Sequence, residues 1–170
     1  MKNIYLVNPE KIADDIAMKY RPRSAARGVV FDENNNVAIL LVSNHNYYKL
    51  PGGGIEESED KIEAFRRECV EEIGSDVEVI KELGPIVEYR SESSLIQTSY
   101  CYVGKVVGER KASAFTEHEL SQGFEKPLWV TFDEALKLVS NSEPNNYSGR
   151  FIKERDTFVL NTVKQLGNKF

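Results

Sequence analysis

The chain has 170 residues, 41% hydrophobic and 29% charged, and a net charge of −5 from 27 acidic and 22 basic residues. At roughly 100–200 residues per domain this length fits one domain, and average globular usage excludes a disordered or fibrous chain. No apolar run reaches the ~18–20 residues of a membrane helix. The opening MKNIYLVNPEKIADD turns acidic too early for a secretory signal, and the acidic excess leaves no broad basic surface for duplex nucleic acid. A small basic pocket for a phosphorylated small molecule is compatible with it.

Cys69 and Cys101 stand 32 positions apart with no CxxC pair. A disulfide framework or zinc site is therefore not expected, and a reducing, cytoplasmic location is. His45 and His118 are too few and too far apart for a histidine-rich metal site.

In chain order, residues 9–20 carry Ile12, Ile16 and Met18/Tyr20 at helical spacing behind Pro9, which predicts an N-terminal helix. Strands are expected at 26–31 and 37–42, joined by the turn 32–36 as a hairpin. After the glycine-rich segment YYKLPGGG at 47–54 comes a strongly helical stretch at 59–73. Residues 76–89 and 97–107 alternate as strands, 108–127 reads as a long loop, 128–132 as a short strand and 133–139 as a short helix. A final helix is expected at 150–166, its buried side outlined by Phe151, Ile152, Arg155, Phe158, Val159, Val163 and Leu166. This order predicts an α+β fold with a mixed β-sheet.

On a helical wheel of ~100° per residue, Ile62, Phe65, Cys69 and Ile73 share an arc of roughly 80° that would face the core. Glu68, Glu71 and Glu72 fall in an adjacent arc. Like charges at i,i+4 destabilise a helix by tenths of a kcal/mol, so three converging carboxylates suit a hard cation such as Mg²⁺. Alone, the cluster reads more readily as a solvated face neutralised by Arg66 and Arg67, and Gly52–Gly54 equally as a plain tight turn. Their adjacency favours the metal reading, because glycines permit close approach of phosphate or metal.

These residues resemble the signature of the Nudix hydrolases. Gly53 is followed after five residues by Glu59, and after seven more by Arg67-Glu68-Cys69-Val70-Glu71-Glu72-Ile73-Gly74-Ser75. Ser75 stands where the signature has an aliphatic residue, with Val77 nearby as a substitute. Tyr48-Lys49-Leu50-Pro51-Gly52-Gly53 looks like the usual approach to this box, and Trp129-Val130 with Asp133-Glu134-Ala135 is similar to the family's late strand and helix. The resemblance implies one Nudix domain over 1–170, its mixed sheet sandwiched by helices, with N- and C-terminal helical extensions that could mediate a homodimer.

The resemblance further implies a pyrophosphohydrolase that cleaves the anhydride of a nucleoside diphosphate derivative by attack of water on phosphorus, with Mg²⁺ or Mn²⁺ as cofactor. Glu68, Glu71 and Glu72, with the Gly52 carbonyl, would hold the metal; Arg67 would orient the glutamates and Glu59 brace the loop. Glu119 is preferred over Glu117 and Glu125 as a catalytic loop acid, and His118 is read as a surface residue. Arg23 and Arg27 could reach a substrate phosphate. Among Tyr47, Tyr48, Phe124 and Trp129, Tyr47 is preferred for stacking on a base and Trp129 for the core. Markers of coenzyme A, NADH, ADP-ribose and dinucleoside polyphosphate enzymes are missing, which favours a nucleoside triphosphate or a similar diphosphate. A second enzyme reading is an isomerase or RNA-end pyrophosphohydrolase on the same fold, but the acidic charge argues against long RNA and Cys69 on the buried stripe against the isomerase. The alternative from a different class is a non-catalytic Nudix module that senses a ligand, although such modules usually lose box glutamates and all are present here.

Overall fold

The computed structural model describes residues 4–167 and 170. Its centre is a mixed sheet of eight strands: β1 (Tyr5–Val7), β2 (Arg21–Phe31), β3 (Val37–Val42), β4 (Tyr47–Lys49), β5 (Gly52–Gly54), β6 (Asp76–Arg90), β7 (Leu95–Val107) and β8 (Leu128–Val130). The main path runs β1-β6-β7-β2-β3-β4, while β5 pairs with β2 and β8 with β3. The helices are α1 (Asp14–Ala17), α2 (Lys61–Ile73), α3 (Glu117–Ser121), α4 (Phe132–Ser140) and α5 (Tyr147–Gln165).

From Ala25 to Phe31 strand β2 is buried on both faces, as a strand with helices above and below must be. Val29 and Phe31 pack with Ile39 of β3 and with Phe132, Val139, Phe151, Val159 and Leu160 of α4 and α5. Ala26 and Val30 point the other way and pack with Ala64, Phe65, Cys69 and Ile73 of α2. The sheet is thus sandwiched, and both cysteines are buried as free thiols. Val77, buried beside Ile73, supplies the apolar group that Ser75 lacks.

Helix α2 starts where its cap dictates. Asp60 accepts hydrogen bonds from the Ile62 and Glu63 N–H groups at 2.8 and 3.4 Å. It stops at Gly74, whose φ of 64° is left-handed and whose missing Cβ would lie 1.9 Å from the Lys111 carbonyl oxygen.

Several elements depart from the expectation. The helix at 9–20 shrinks to one turn, α1, because Asn8 bonds both the N–H and the carbonyl of Ile12 at 2.8 Å. That local ring, with Lys11 at a φ of 55°, gives the backbone an alternative to helix. Ahead of it, β1 adds a parallel edge strand to β6. Strand β2 begins five residues before the expected 26, since Arg21–Ala25 lie in parallel register with Leu95–Ser99 of β7. The expected loop 108–127 contains α3, started by a capping box in which Thr116 accepts the Glu119 N–H and Glu119 accepts the Thr116 N–H. Helix α5 starts at Tyr147 rather than 150, because the Asn146 side chain caps Gly149 N–H at 2.9 Å. Its residues Phe151, Val159, Leu160 and Val163 are buried in their own domain, while Leu166 is exposed.

Phe65 stacks on Tyr102 with ring centroids 5.5 Å apart and fills the space above Gly28 and Gly104. Its truncation leaves a cavity that backbone cannot fill. Phe65→Ala is therefore expected to lower unfolding free energy by about 3–5 kcal/mol, measured by urea denaturation followed by circular dichroism.

Candidate functional site

A cleft of ≈ 540 Å³ opens where the edge of β2 passes from β3 to β5. One wall is α2. Glu72 is buried, and its carboxylate accepts the Gly52 N–H at 2.9 Å and the Lys49 ammonium at 2.7 Å. The same Lys49 Nζ donates to the Gly52 carbonyl at 3.1 Å. Burial pushes the Glu72 carboxyl from its ordinary 4.5 up to about 7, against the pull of Lys49. Glu68, less buried, is also raised by desolvation, with Arg67 opposing.

Arg67 is the hub of this wall. Its guanidinium donates to Glu59 at 2.8 and 3.1 Å, Glu68 at 2.9 Å, Glu71 at 3.2 Å and the Gly54 carbonyl at 2.9 Å. A planar fork can hold several carboxylates at fixed angles, which an ammonium cannot. Gly53 has to be glycine for a similar reason: a Cβ there would sit 2.5 Å from Glu68 Oε1.

The segment after β7 straps down the end of α2 and then crosses to the cleft. Lys111 N–H bonds the Gly74 carbonyl at 2.7 Å, Ser113 Oγ the Glu72 carbonyl at 2.7 Å, and Ala114 N–H the Glu71 carbonyl at 2.6 Å. These satisfy carbonyls that a helix end leaves unpaired. Beyond them Thr116, His118, Glu119, Gln122 and Phe124 line the cleft. Glu119 Oε1 is held by Thr116 N–H and Oγ1 at 2.9 and 2.8 Å.

The opposite wall is basic and comes from β2, β6, β7 and α5. Arg27 Nε donates to Ser99 Oγ at 3.1 Å, and Arg23 bonds Gln97 Oε1. Gln97 in turn donates to Glu88 Oε2 at 2.7 Å, as does Arg90 at 2.8 Å. Arg155 reaches Glu88 Oε1 at 3.1 Å and Asp156 at 2.7 Å, and Asp156 accepts the Leu50 N–H at 2.9 Å. Desolvation lowers Arg27 to about 10.

The structure therefore brings together in one cleft Arg23, Arg27, Tyr47, Gly52, Arg67, Glu68, Glu71, Glu72 and Glu119. Glu117 and Glu125 do not line it, whereas His118 does. Tyr47 forms part of the cleft wall but is only 6% exposed; Phe124, half-buried, offers the more open ring. Tyr48 packs against the core on the α5 side, and Trp129 packs against the α2 side, beneath the Arg110 guanidinium. The sequence reading missed Lys49, Arg90, Gln97 and the site role of Arg155. Only Arg155 left a signal, as a charge in the apolar stripe of the last helix.

The donors at the acidic wall are all oxygens, the set that Mg²⁺ prefers. Among the described residues no three acidic, histidine or cysteine side chains converge into a ready metal cage, since Lys49 and Arg67 hold the carboxylates. The fit is nonetheless good. A cationic group already bridges Glu72 and the Gly52 carbonyl, and Mg²⁺ takes only one or two protein carboxylates while keeping waters and substrate phosphates.

Comparison with known proteins agrees with this geometry. The NUDIX domain model matches residues 21–149. Nudix hydrolase 13, mitochondrial, of Arabidopsis thaliana is 32% identical over 113 residues, 63% of this chain and 55% of that protein. The chain thus spans little more than half of that relative's length. An RNA pyrophosphohydrolase of Pelagibacter ubique (strain HTCC1062) is 29% identical over 147 residues, covering 78% of this chain and 90% of that protein. Among solved structures, a NUDIX hydrolase from Nitrosomonas europaea superposes with a TM-score of 0.61 at 15% identity, over 88% of this chain and 93% of that one.

Two outcomes test the acidic wall. A carboxyl whose pKa is raised on folding contributes stability below its unfolded pKa and loses it as pH climbs through the folded value. The metal-free protein is therefore expected to lose melting temperature between pH 4.5 and about 7, a fall that Glu72→Gln flattens in melts run with chelator. Gly53→Ala is expected to displace the Glu68 carboxylate and weaken Mn²⁺ binding by about tenfold or more, read by titration calorimetry, with the melting curve still cooperative.

Proposed function

Since the chain belongs to the NUDIX domain family, we propose that it is a Mg²⁺-dependent hydrolase, with Mn²⁺ as a substitute. It would cleave the pyrophosphate linkage of a nucleoside diphosphate derivative, a nucleoside triphosphate or a similar compound, by attack of water on phosphorus. The observation that carries this reading is the pairing of two opposed walls in one cleft. Glu72, Glu68, Glu71 and the Gly52 carbonyl gather on one side, and Arg23, Arg27, Arg90 and Arg155 on the other. A cation-seeking surface facing an anion-seeking one suits a metal-phosphate complex and little else.

Phosphoryl transfer needs positioning and neutralisation of charge more than covalent chemistry. Glu68, Glu71, Glu72 and the Gly52 carbonyl would hold Mg²⁺, which supplies Lewis acidity and lowers the pKa of water. Arg67, through its bonds to Glu68 and Glu71, fixes the directions from which those oxygens are offered. Lys49 has to leave Glu72 Oε1 and the Gly52 carbonyl for them to accept a metal, and Phe124, whose ring centroid lies 5.1 Å from its Nζ, flanks it on the cleft side. Glu119 would accept the proton of the attacking water, since its capping bonds use only Oε1. Arg23 and Arg27 would hold substrate phosphate, and Tyr47 and Phe124 would contact the attached base.

No helix among the described residues is long and apolar enough to cross a membrane. Two buried free thiols suit a reducing compartment, and we propose a cytoplasmic setting on that ground.

The test is hydrolysis of nucleoside triphosphates, ADP-ribose, UDP-sugars and 5′-triphosphorylated RNA with Mg²⁺ or Mn²⁺. One class is expected to turn over only with metal, and Glu72→Gln to lower kcat by about 10²-fold or more. A nucleotide that raises the melting temperature without any turnover would instead favour a ligand-sensing module.

A further inference from the structure

The basic wall holds more positive charge than it neutralises. Arg23, Arg27, Arg90 and Arg155 place four guanidiniums against two carboxylates, Glu88 and Asp156, all but Arg23 at least nine-tenths buried. Three of the guanidiniums are buried, so the surplus is one charge in a desolvated layer, where an uncompensated ion is costly, and a second, that of Arg23, at its exposed edge. Two buried donors there, Arg90 Nε and Arg155 Nη2, have no hydrogen-bond partner among the described residues. Arg23 is pulled below its ordinary pKa by burial and by repulsion from Arg90 and Arg155. The group is rigidly built: Arg90 lies over the Phe151 ring at 5.2 Å, and Glu88 ties Arg90, Gln97 and Arg155 together.

The position of this surplus matters. Arg23 Nη2 comes within 3.0 Å of where a Gly54 Cβ would be, so it borders the glycine strand beside the acidic wall. Arg90 and Arg155 are joined to it through Gln97 and Glu88. A substrate whose anhydride lies at the carboxylates and that carries a further phosphate past Arg23 would present it to these two guanidiniums, whose planar forks match a phosphate oxygen pair.

We propose that Arg90 and Arg155, with Arg23 as the bridge, form a second anion site that takes a phosphate group of the substrate other than the anhydride being cleaved. The inference rests on the hydrolase reading for its substrate class, but not for the binding itself. Within that class the site selects, over a plain nucleoside triphosphate, a substrate with a further phosphate as a monoester or a phosphodiester.

Two measurements on the full chain test this. With chelator present, inorganic phosphate is expected to raise the melting temperature of the wild type, and this gain is expected to vanish in Arg90→Gln. With Mg²⁺, three substrates are compared: a nucleoside 5′-triphosphate, the same compound bearing a 3′-phosphate, and a dinucleotide bearing a 5′-triphosphate. One of the last two is expected to show a KM lower by about tenfold or more than the first, and Arg90→Gln to bring that ratio close to one. The arm that gains separates monoester from phosphodiester. Equal KM values for all three, or an equal rise for all three in Arg90→Gln, would overturn the proposal. If Arg90→Gln melts without cooperativity, Arg90→Lys, which keeps the charge and removes the planar fork, carries the same comparison. Should the wild type hydrolyse nothing, the hydrolase reading fails alone, and the phosphate-dependent melting shift decides the anion site: its presence upholds the site and its absence overturns it.

Discussion

A single carboxylate, that of Glu72, links the parts on which the cleft depends. It lies at the buried side of α2, receives the backbone of β5 at Gly52 and the side chain of β4 at Lys49, and so ties one helix to two short strands. Buried ion pairs add little net stability, because desolvation offsets most of the Coulomb attraction. The value of this one is positional. It holds the Gly52 carbonyl and a Glu72 oxygen on one cation, the Lys49 ammonium. Arg67 does the same for Glu68 and Glu71 from the other side. The acidic face therefore stays ordered even though its carboxylates would otherwise repel one another.

The layer between the sheet and α5 is divided along the strands. Toward the end of β2 and β7 the inward positions are Val29, Phe31, Cys101 and Val103, a dry core. Toward their beginning the same face carries Arg23, Arg27, Gln97 and Ser99, joined by Glu88 and Arg90 of β6. Alternation alone would continue the core to the strand ends. Helix α5 mirrors the division, with Val159 and Leu160 over the apolar half and Arg155 and Asp156 against Glu88 and Leu50 of the polar half. One helix thus closes the core and completes the cleft.

The sandwich and the acidic wall were legible because their signals are local. Periodicity marked α2, and the spacing from Gly53 to Glu72 tied glycine loop and carboxylates together. What stayed illegible depends on contacts between distant segments. Arg21–Ser24 carry no apolar alternation, and only pairing with β7 makes them strand. Asn8 overrides an apolar pattern through two hydrogen bonds that no periodicity reveals. Lys49 looked like one polar residue in a glycine-rich approach, and its meaning comes from Glu72, 23 positions away. Arg90 and Arg155 meet only because Glu88 bridges β6 to α5 across 67 positions. The capping box at Thr116 and Glu119 is the exception: it is a local signal, hidden by the charged residues around it.

The strap across the end of α2 has a consequence for how this scaffold can diversify. Lys111, Ser113 and Ala114 fasten the chain to carbonyls that every such helix offers, whatever its side chains. A few residues later the chain is held again where Ser43 N–H bonds the Gly123 carbonyl and Glu125 N–H bonds the Leu41 carbonyl. Between these two fastenings, residues 115–122 form an interchangeable visor over the cleft. Apart from Glu119, its residues can be exchanged without loosening the helix beneath, so selection can retune what enters the cleft while both walls below are kept.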